Sequence, residues 1–211
     1  MFYIMIKMKR KNPKIKIIDE LALSEFDINN NVAFYHKDDK IITLSDITFD
    51  SCLFNHIDFT NITLLNIKFI DCVFESCNIS NKDFTYSLFI RCEFKHTKLV
   101  GNDISYTRFE DVLFEDCILD YSVFFANNIK RTEFVKTSFK EGRLMRNELK
   151  DIIFDECDLC LTEIIDTSLA DIDLSSTKIE GILIQLDDIK GCKVNIYQAV
   201  DLMKLLNIEV V

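Results

Sequence analysis

From Leu44 to Val194, every fifth residue is large and apolar: 14 Phe, 9 Leu, 7 Ile and 1 Val fill all 31 positions. In a chain that is 48% hydrophobic, chance would produce that run on the order of once in a billion. A period of five fits neither the alternation of a strand nor the 3.6-residue beat of a helix. A second column lies two residues before each large one. It holds mostly Cys, Thr, Ser, Asn and Val in mid-chain, with Ile towards both ends. Residues two apart in an extended segment share a face, so each pentad sends one large and one smaller side chain inward. A short strand that turns after every five residues makes one side of a coil.

The cysteines set the number of sides. Seven of the 8 lie in the small inward column. Cys52, Cys72, Cys92 and Cys192 form one set, Cys77, Cys117 and Cys157 another, and spacings within each set are multiples of twenty. Phe54, Phe74, Phe94, Phe114, Phe134 and Phe154 also recur every twenty residues. Four pentads therefore make a coil, and stacked coils bring like residues into ladders. Thirty-one pentads make nearly eight coils, a rod about 37 Å long at the usual interstrand spacing. The 4 Gly and single Pro argue against a fold with many tight loops.

Pentads such as Asn78-Ile79, Asp83-Phe84, Asp103-Ile104 and Asp158-Leu159 resemble the A(D/N)LXX pattern of pentapeptide-repeat proteins. The resemblance implies an all-β fold, a right-handed quadrilateral β-helix. Three regions follow: an N-terminal extension and cap over 1–43, the β-helix over 44–194, and a C-terminal capping and dimerisation segment over 195–211. A solenoid exposes open backbone edges and raw core at its ends, so both need caps. The basic run Lys7, Lys9, Arg10 and Lys11 reads as a frayed terminus, with Met5 or Met8 as alternative starts, rather than as a nucleic-acid arm. Asn195 followed by Gln198 has the form of a capping box. Ala199, Leu202, Met203 and Leu206 then share one helical face. Val200, Leu205, Ile208 and Val210 add more apolar surface than one cap requires, and together these residues predict a homodimer.

The residues offer no chemistry of their own. The inward cysteines read as small hydrophobes, and the isolated Cys157/Cys160 pair should point one inward and one outward. His56 and His96 lie two coils apart, roughly 10 Å, too far to share zinc. No phosphate-cradling glycine loop and no recognisable nucleophile–base motif occurs. The expectation is a non-enzyme without cofactor or metal. No run approaches the roughly 20 apolar residues of a membrane span, and the six apolar residues before Lys7 are too few for a signal-peptide core, so a cytoplasmic location is expected.

The net charge of −10 should repel nucleic acid and anionic membrane and suit a basic protein surface. The side centred on 54 through 194 carries the most acid: Glu75, Glu93, Glu115, Asp116, Glu133, Asp155, Glu156 and Asp173 against Lys95, Lys136 and Lys193. Duplex DNA is also a rod with regularly spaced negative charge. The uninterrupted coils, the N-terminal extension and the C-terminal helix resemble the Qnr and mycobacterial MfpA group. Asp158-Leu159, Thr167-Ser168-Leu169 and Gly191 through Ala199 are similar to the ends of Qnr-like proteins of Gram-positive bacteria. That resemblance implies dimerisation through the C-terminal ends, binding to DNA gyrase or topoisomerase IV, and low-level fluoroquinolone resistance. The count of five never slips, so the coil-breaking loops of several plasmid-borne Qnr proteins are absent. A second outward stripe, Val123, Phe125, Met145, Ile165, Leu183 and Leu186, is expected to meet a second subunit or to be covered by the chain's own terminal helix or tail; in the alternative reading it serves a structural scaffold that binds a different protein.

Overall fold

The computed structural model describes residues 10–15, 19–21, 32–34, 41–203 and 205. The chain is a four-sided β-solenoid of about seven turns closed by a short C-terminal helix. Among the described residues all strand pairs are parallel, and through the repeat each residue pairs with the one twenty further on, as in Phe74↔Phe94 and Phe94↔Phe114. Two adjacent sides join into a 12-stranded sheet; a third holds a 5-stranded sheet. The fourth side is tied mainly by single bridges such as Asp58↔Asn78, Asn78↔Lys98 and Lys98↔Ile118. The parallel ladder continues upstream of the repeat, because Val32–Phe34 sets Phe34 opposite Phe54 and also pairs with Asp19–Leu21.

The core is a set of aromatic ladders. Phe54, Phe74, Phe94, Phe114, Phe134 and Phe154 stack face to face with centroids 4.6, 4.6, 4.9, 5.0 and 5.0 Å apart. On the neighbouring side Phe49, Phe69, Phe89 and Phe109 do the same at 5.2, 5.3 and 5.0 Å. The two ladders meet edge to face, as at Phe69–Phe74, 5.0 Å and 79°. Offset and edge-to-face contacts are the favoured geometries of such rings. Ile129 follows Phe109 in the second ladder, and a void of about 20 Å³ opens beside Ile129, Phe134 and Leu149.

The smaller inward column does more than fill space. The Thr97, Thr137 and Thr167 hydroxyls donate to the carbonyls of Phe74, Phe114 and Leu144 at 3.3, 3.1 and 3.2 Å. Asn127 and Asn147 donate through Nδ2 to Ile104 and Phe124 at 2.7 and 2.9 Å. The thiols of Cys72, Cys92, Cys117 and Cys157 point at the equivalent carbonyls at 3.2–3.4 Å. Each of these residues therefore ties its coil to the one before it, while Val112 and the Ile residues of the same column only fill space. Burial pushes the Cys77 and Cys117 thiols up to about 12, so they persist as unreactive thiols.

Scarcity of glycine misleads about turns. Among the described residues, twenty-four non-glycine residues take φ near +50 to +66°, one at almost every corner. That region disfavours a Cβ by about 1–2 kcal/mol. Here it aims the corner N–H along the rod: Ser51, His56 and Asp71 donate to Ile70, Glu75 and Ile90 in the next coil at 2.8–2.9 Å. Corner side chains also pair coil to coil, as in Asn66–Asp46 at 2.6 Å.

The last coil departs from the expected eight. A single helical turn α1, Leu186–Ile189, replaces the pentad there, yet Ile189 still packs against the core. Helix α2, Ile196–Met203, begins with the anticipated capping box. Asn195 Oδ1 accepts from the amides of Tyr197 and Gln198, both at 3.0 Å, while Gln198 Oε1 accepts from the Asn195 amide at 2.7 Å. Buried Gln198 then donates to the Leu174 carbonyl at 2.8 Å, fastening the helix to the final coil.

Two substitutions test the packing. Phe114→Ala, in mid-ladder, should cost about 3–5 kcal/mol in denaturant unfolding. At Gly142 a Cβ would lie 2.4 Å from the Phe139 ring, so Gly142→Ala should cost about 1–3 kcal/mol by overpacking. Wild-type midpoints for both would contradict this account of the core.

Candidate partner-binding face

The acidic residues singled out from sequence lie in three outward columns on one side of the rod. Glu93 and Glu133 occupy the column before the Phe ladder, with Leu113 between them in register. Glu75 and Glu115 follow the ladder and flank Lys95, and Asp155 pairs with Val135. Asp116 and Glu156 sit at corners with positive φ. Glu75, Asp116, Asp155, Glu156 and Asp173 are exposed, Glu115 and Glu133 half-buried, and Glu93 buried.

The eight carboxylates are therefore not equivalent. Glu93 accepts from Arg10 Nη2 at 3.0 Å and pairs with Lys95 at 2.8 Å. Burial raises its pKa, but those two cations outweigh burial and hold the carboxyl below its usual range. Glu133 lies 3.9 Å from Arg10 Nε. Asp116 faces His96 at 3.7 Å across an exposed corner, a pair of little energetic weight. Asp155 accepts from Ser176 Oγ at 3.3 Å. Hydrogen bonds from Ser175 lower the pKa of Asp173.

The basic N-terminal run corrects the expectation of a frayed end. Lys7 and Lys9 lie outside the described residues, but Arg10 and Lys11 are docked on the coils. The Lys11 and Lys14 amides donate to Asp111 and Asp71 at 3.1 and 3.0 Å. The physical reason is that an acidic rod attracts a basic segment of its own chain. The corner beneath the segment alternates in sign. Arg91 clasps Asp71 through two bonds of 2.6 Å, and Arg131 clasps Asp111 at 2.7 and 2.8 Å. At Asp71 and Asp111 burial raises the pKa, but the guanidinium and backbone contacts together bring it below the usual value.

The apolar stripe is present and longer than the six residues expected of it. Val123, Phe125, Met145 and Ile165 are half-buried, Leu183 and Leu186 exposed. Tyr86 and Tyr106 extend it, stacked at 5.2 Å, with Phe125 edge-on to Tyr106 at 5.5 Å and Arg146 over Phe125 at 5.9 Å. The two tyrosines are spaced by twenty at corners, a signal present in the sequence itself.

Of the residues expected at a dimer contact, Leu202 and Leu205 pack against the chain's own core. Ala199 and Met203 are half-buried, and Val200 is exposed beside Ile196 and Tyr197. Leu206, Ile208 and Val210 lie outside the described residues. Among the described residues no cluster of His, Cys, Asp or Glu could hold a metal, and no helix is long and apolar enough to cross a membrane. Cys157 points inward and Cys160 is half-buried, donating to Glu180 at 3.0 Å.

Residues 67–144 match the family model described as a pentapeptide repeat region. Over those residues the chain is similar to the pentapeptide-repeat family. No curated protein matches it. Among solved structures, a trypsin-treated form of QnrB1, a plasmid-mediated fluoroquinolone resistance protein, is similar at 20% identity and a TM-score of 0.48, covering 92% of this chain and 96% of that one. HetL of Nostoc sp. PCC 7120, involved in heterocyst differentiation regulation, is 10% identical with a TM-score of 0.40, over 77% and 81%. Rfr23 of Cyanothece 51142 is 12% identical with a TM-score of 0.39, over 59% and 90%.

The clasped carboxylates set an acid limit. Asp71, Asp111 and Glu93 release protons more readily folded than unfolded. Their stabilisation is complete above the unfolded carboxylate values of about 4 and is lost as pH falls through the lowered ones. The thermal midpoint should therefore drop between about pH 5 and pH 3. Arg131→Met should flatten that drop by releasing Asp111; an unchanged pH profile would contradict the assignment.

Proposed function

We propose that this protein binds DNA gyrase or topoisomerase IV as an acidic, DNA-mimicking rod, modulates the enzyme, and thereby confers low-level fluoroquinolone resistance. The observation that carries the reading is the single acidic side. Exposed carboxylates at Glu75, Asp116, Asp155, Glu156 and Asp173 recur along one face of a rod whose coils repeat at 4.6–5.0 Å. Regular negative charge on a rigid rod is what a basic DNA-binding saddle is built to receive. The match is one of sign and shape, since the coil spacing differs from the roughly 3.4 Å phosphate spacing of each DNA strand. Exposed side chains of this kind govern encounter rate and salt dependence more than contact energy. The choice of topoisomerase and the drug-resistance outcome rest on the resemblance of Gly191 through Ala199 and the unbroken coils to Qnr-like proteins. The apolar surface of α2, with Val200 beside Ile196 and Tyr197, fits a homodimer joined at that end.

A second reading has its own support. The Tyr86–Tyr106–Phe125 array is an exposed aromatic stripe on a different side, and such stripes serve protein contacts. On this reading the protein is a structural scaffold for another partner, bound with little sensitivity to salt.

Charge reversal separates the two. Changing Glu115, Asp116, Asp155 and Glu156 together to Lys should weaken binding to purified gyrase at least about tenfold, and wild-type affinity should fall about tenfold between roughly 0.05 and 0.5 M salt as charges are screened. Gyrase affinity that survives both would remove the acidic-face mechanism. No gyrase binding by the wild type at any salt would favour the scaffold.

A further inference from the structure

The docked N-terminal segment bears directly on how that acidic face is reached. Lys11 and Lys14 bind Asp111 and Asp71 through their backbone amides, and those two aspartates are two coils apart. Three residues of extended chain span about 10 Å, and two coils span about the same. Residues 11–14 therefore run along the rod axis, against the order of the coils, bridging carboxylates of like position. Arg10 extends the contact onto the acidic side. Its side chain is 9% exposed, held between Glu93, itself 10% exposed, and Glu133. Leu113, an outward residue lying between those two glutamates in register, is only 9% exposed.

The contact has the chemistry of a bound ligand rather than of a structural tie. Backbone amides on carboxylates and a guanidinium between two glutamates are how this surface would hold any extended basic segment. The fit is incomplete, since Arg10 Nε and Nη1 are buried without a hydrogen-bond partner. A segment held mainly by charge, with donors unsatisfied, exchanges with a better-fitting occupant more readily than one packed into the core.

We propose that residues 10–14 form an intramolecular strap that occupies part of the acidic face as a pseudo-ligand, and that a basic protein partner must displace it to engage that face. This rests on the reading of the acidic face as a partner site. The strap neutralises Glu93 and Glu133 while leaving Asp155, Glu156 and Asp173 open, so encounter begins at the C-terminal coils and completes when the strap lifts. Apparent affinity is lowered by the fraction of molecules in which the strap is closed.

The test uses the full chain, wild type against Arg10→Ala and, separately, Lys14→Pro. The proline removes the amide that binds Asp71 without leaving Glu93 deprived of Arg10, so it stands if Arg10→Ala fails to fold. Binding of a fluorescent oligo-arginine peptide and of purified gyrase is titrated at about 0.1 M salt, where exposed charges still interact over roughly 10 Å. Both variants should bind the peptide roughly five- to tenfold tighter than wild type, and a synthetic peptide of residues 7–16 added in trans should reverse the gain. Gyrase affinity should rise in parallel. Oligo-arginine affinity equal to or below wild type in a folded variant overturns the strap. A gain for oligo-arginine with no gyrase binding by any form leaves the strap standing and overturns the gyrase reading. Gyrase binding that is present and identical in all three forms does the reverse.

Discussion

The coil-to-coil registry of the inward ladders is the constraint on which everything else depends. Parallel pairing at an offset of twenty residues places each Phe directly over its predecessor at about 5 Å. The same offset makes every outward column a ladder as well, so each residue becomes a neighbour in space of those twenty before and after it. Stacked rings alone would tolerate slippage by one coil or a twist of the column. The Thr, Asn and Cys contacts to the preceding coil's carbonyls and the positive-φ corners with their axial amides define the position of each pentad more narrowly. The surface inherits that regularity. A solenoid cannot place a charge anywhere without placing it in a column, which is why acidic residues scattered through the chain assemble into one side.

Much of this is legible without coordinates. The pentad beat, the four sides, the inward cysteines and the capping box at Asn195 follow from spacing alone, because residues at multiples of five and twenty have no freedom to be elsewhere. The acidic columns are legible for the same reason. What spacing cannot show lies outside the beat. The strap at Arg10 to Lys14 has no repeat to register it, and only its charge hints that it would seek the acidic side. The helical turn at Leu186–Ile189 keeps its apolar residue in phase and so is invisible to a count of five. The corners mislead in a different way. Few glycines argue for few tight turns, yet the axial hydrogen bond offsets the backbone cost of positive φ at residues as bulky as Tyr86 and Arg131.

Charge in this protein is used in two ways that the columns keep apart. At the corner of Asp71, Arg91, Asp111 and Arg131 opposite charges alternate and clasp, and the carboxyl groups are partly desolvated. Such pairs bind the coils together and contribute little to long-range attraction. On the neighbouring side the carboxylates at Glu75, Asp155, Glu156 and Asp173 stand open to solvent, and their field extends to about a Debye length. The strap sits at the border between the two regimes, tied to clasped aspartates by its backbone and to the open side by Arg10. On the strap proposal, that position makes the amount of acid presented to a partner a variable rather than a constant of the fold.

The most direct measurement is DNA supercoiling by purified gyrase with increasing amounts of this protein, with and without ciprofloxacin. The account predicts a concentration-dependent change in supercoiling that weakens as salt rises, with recovery of activity in the presence of the drug. Supercoiling unaffected by the protein under both conditions would contradict it.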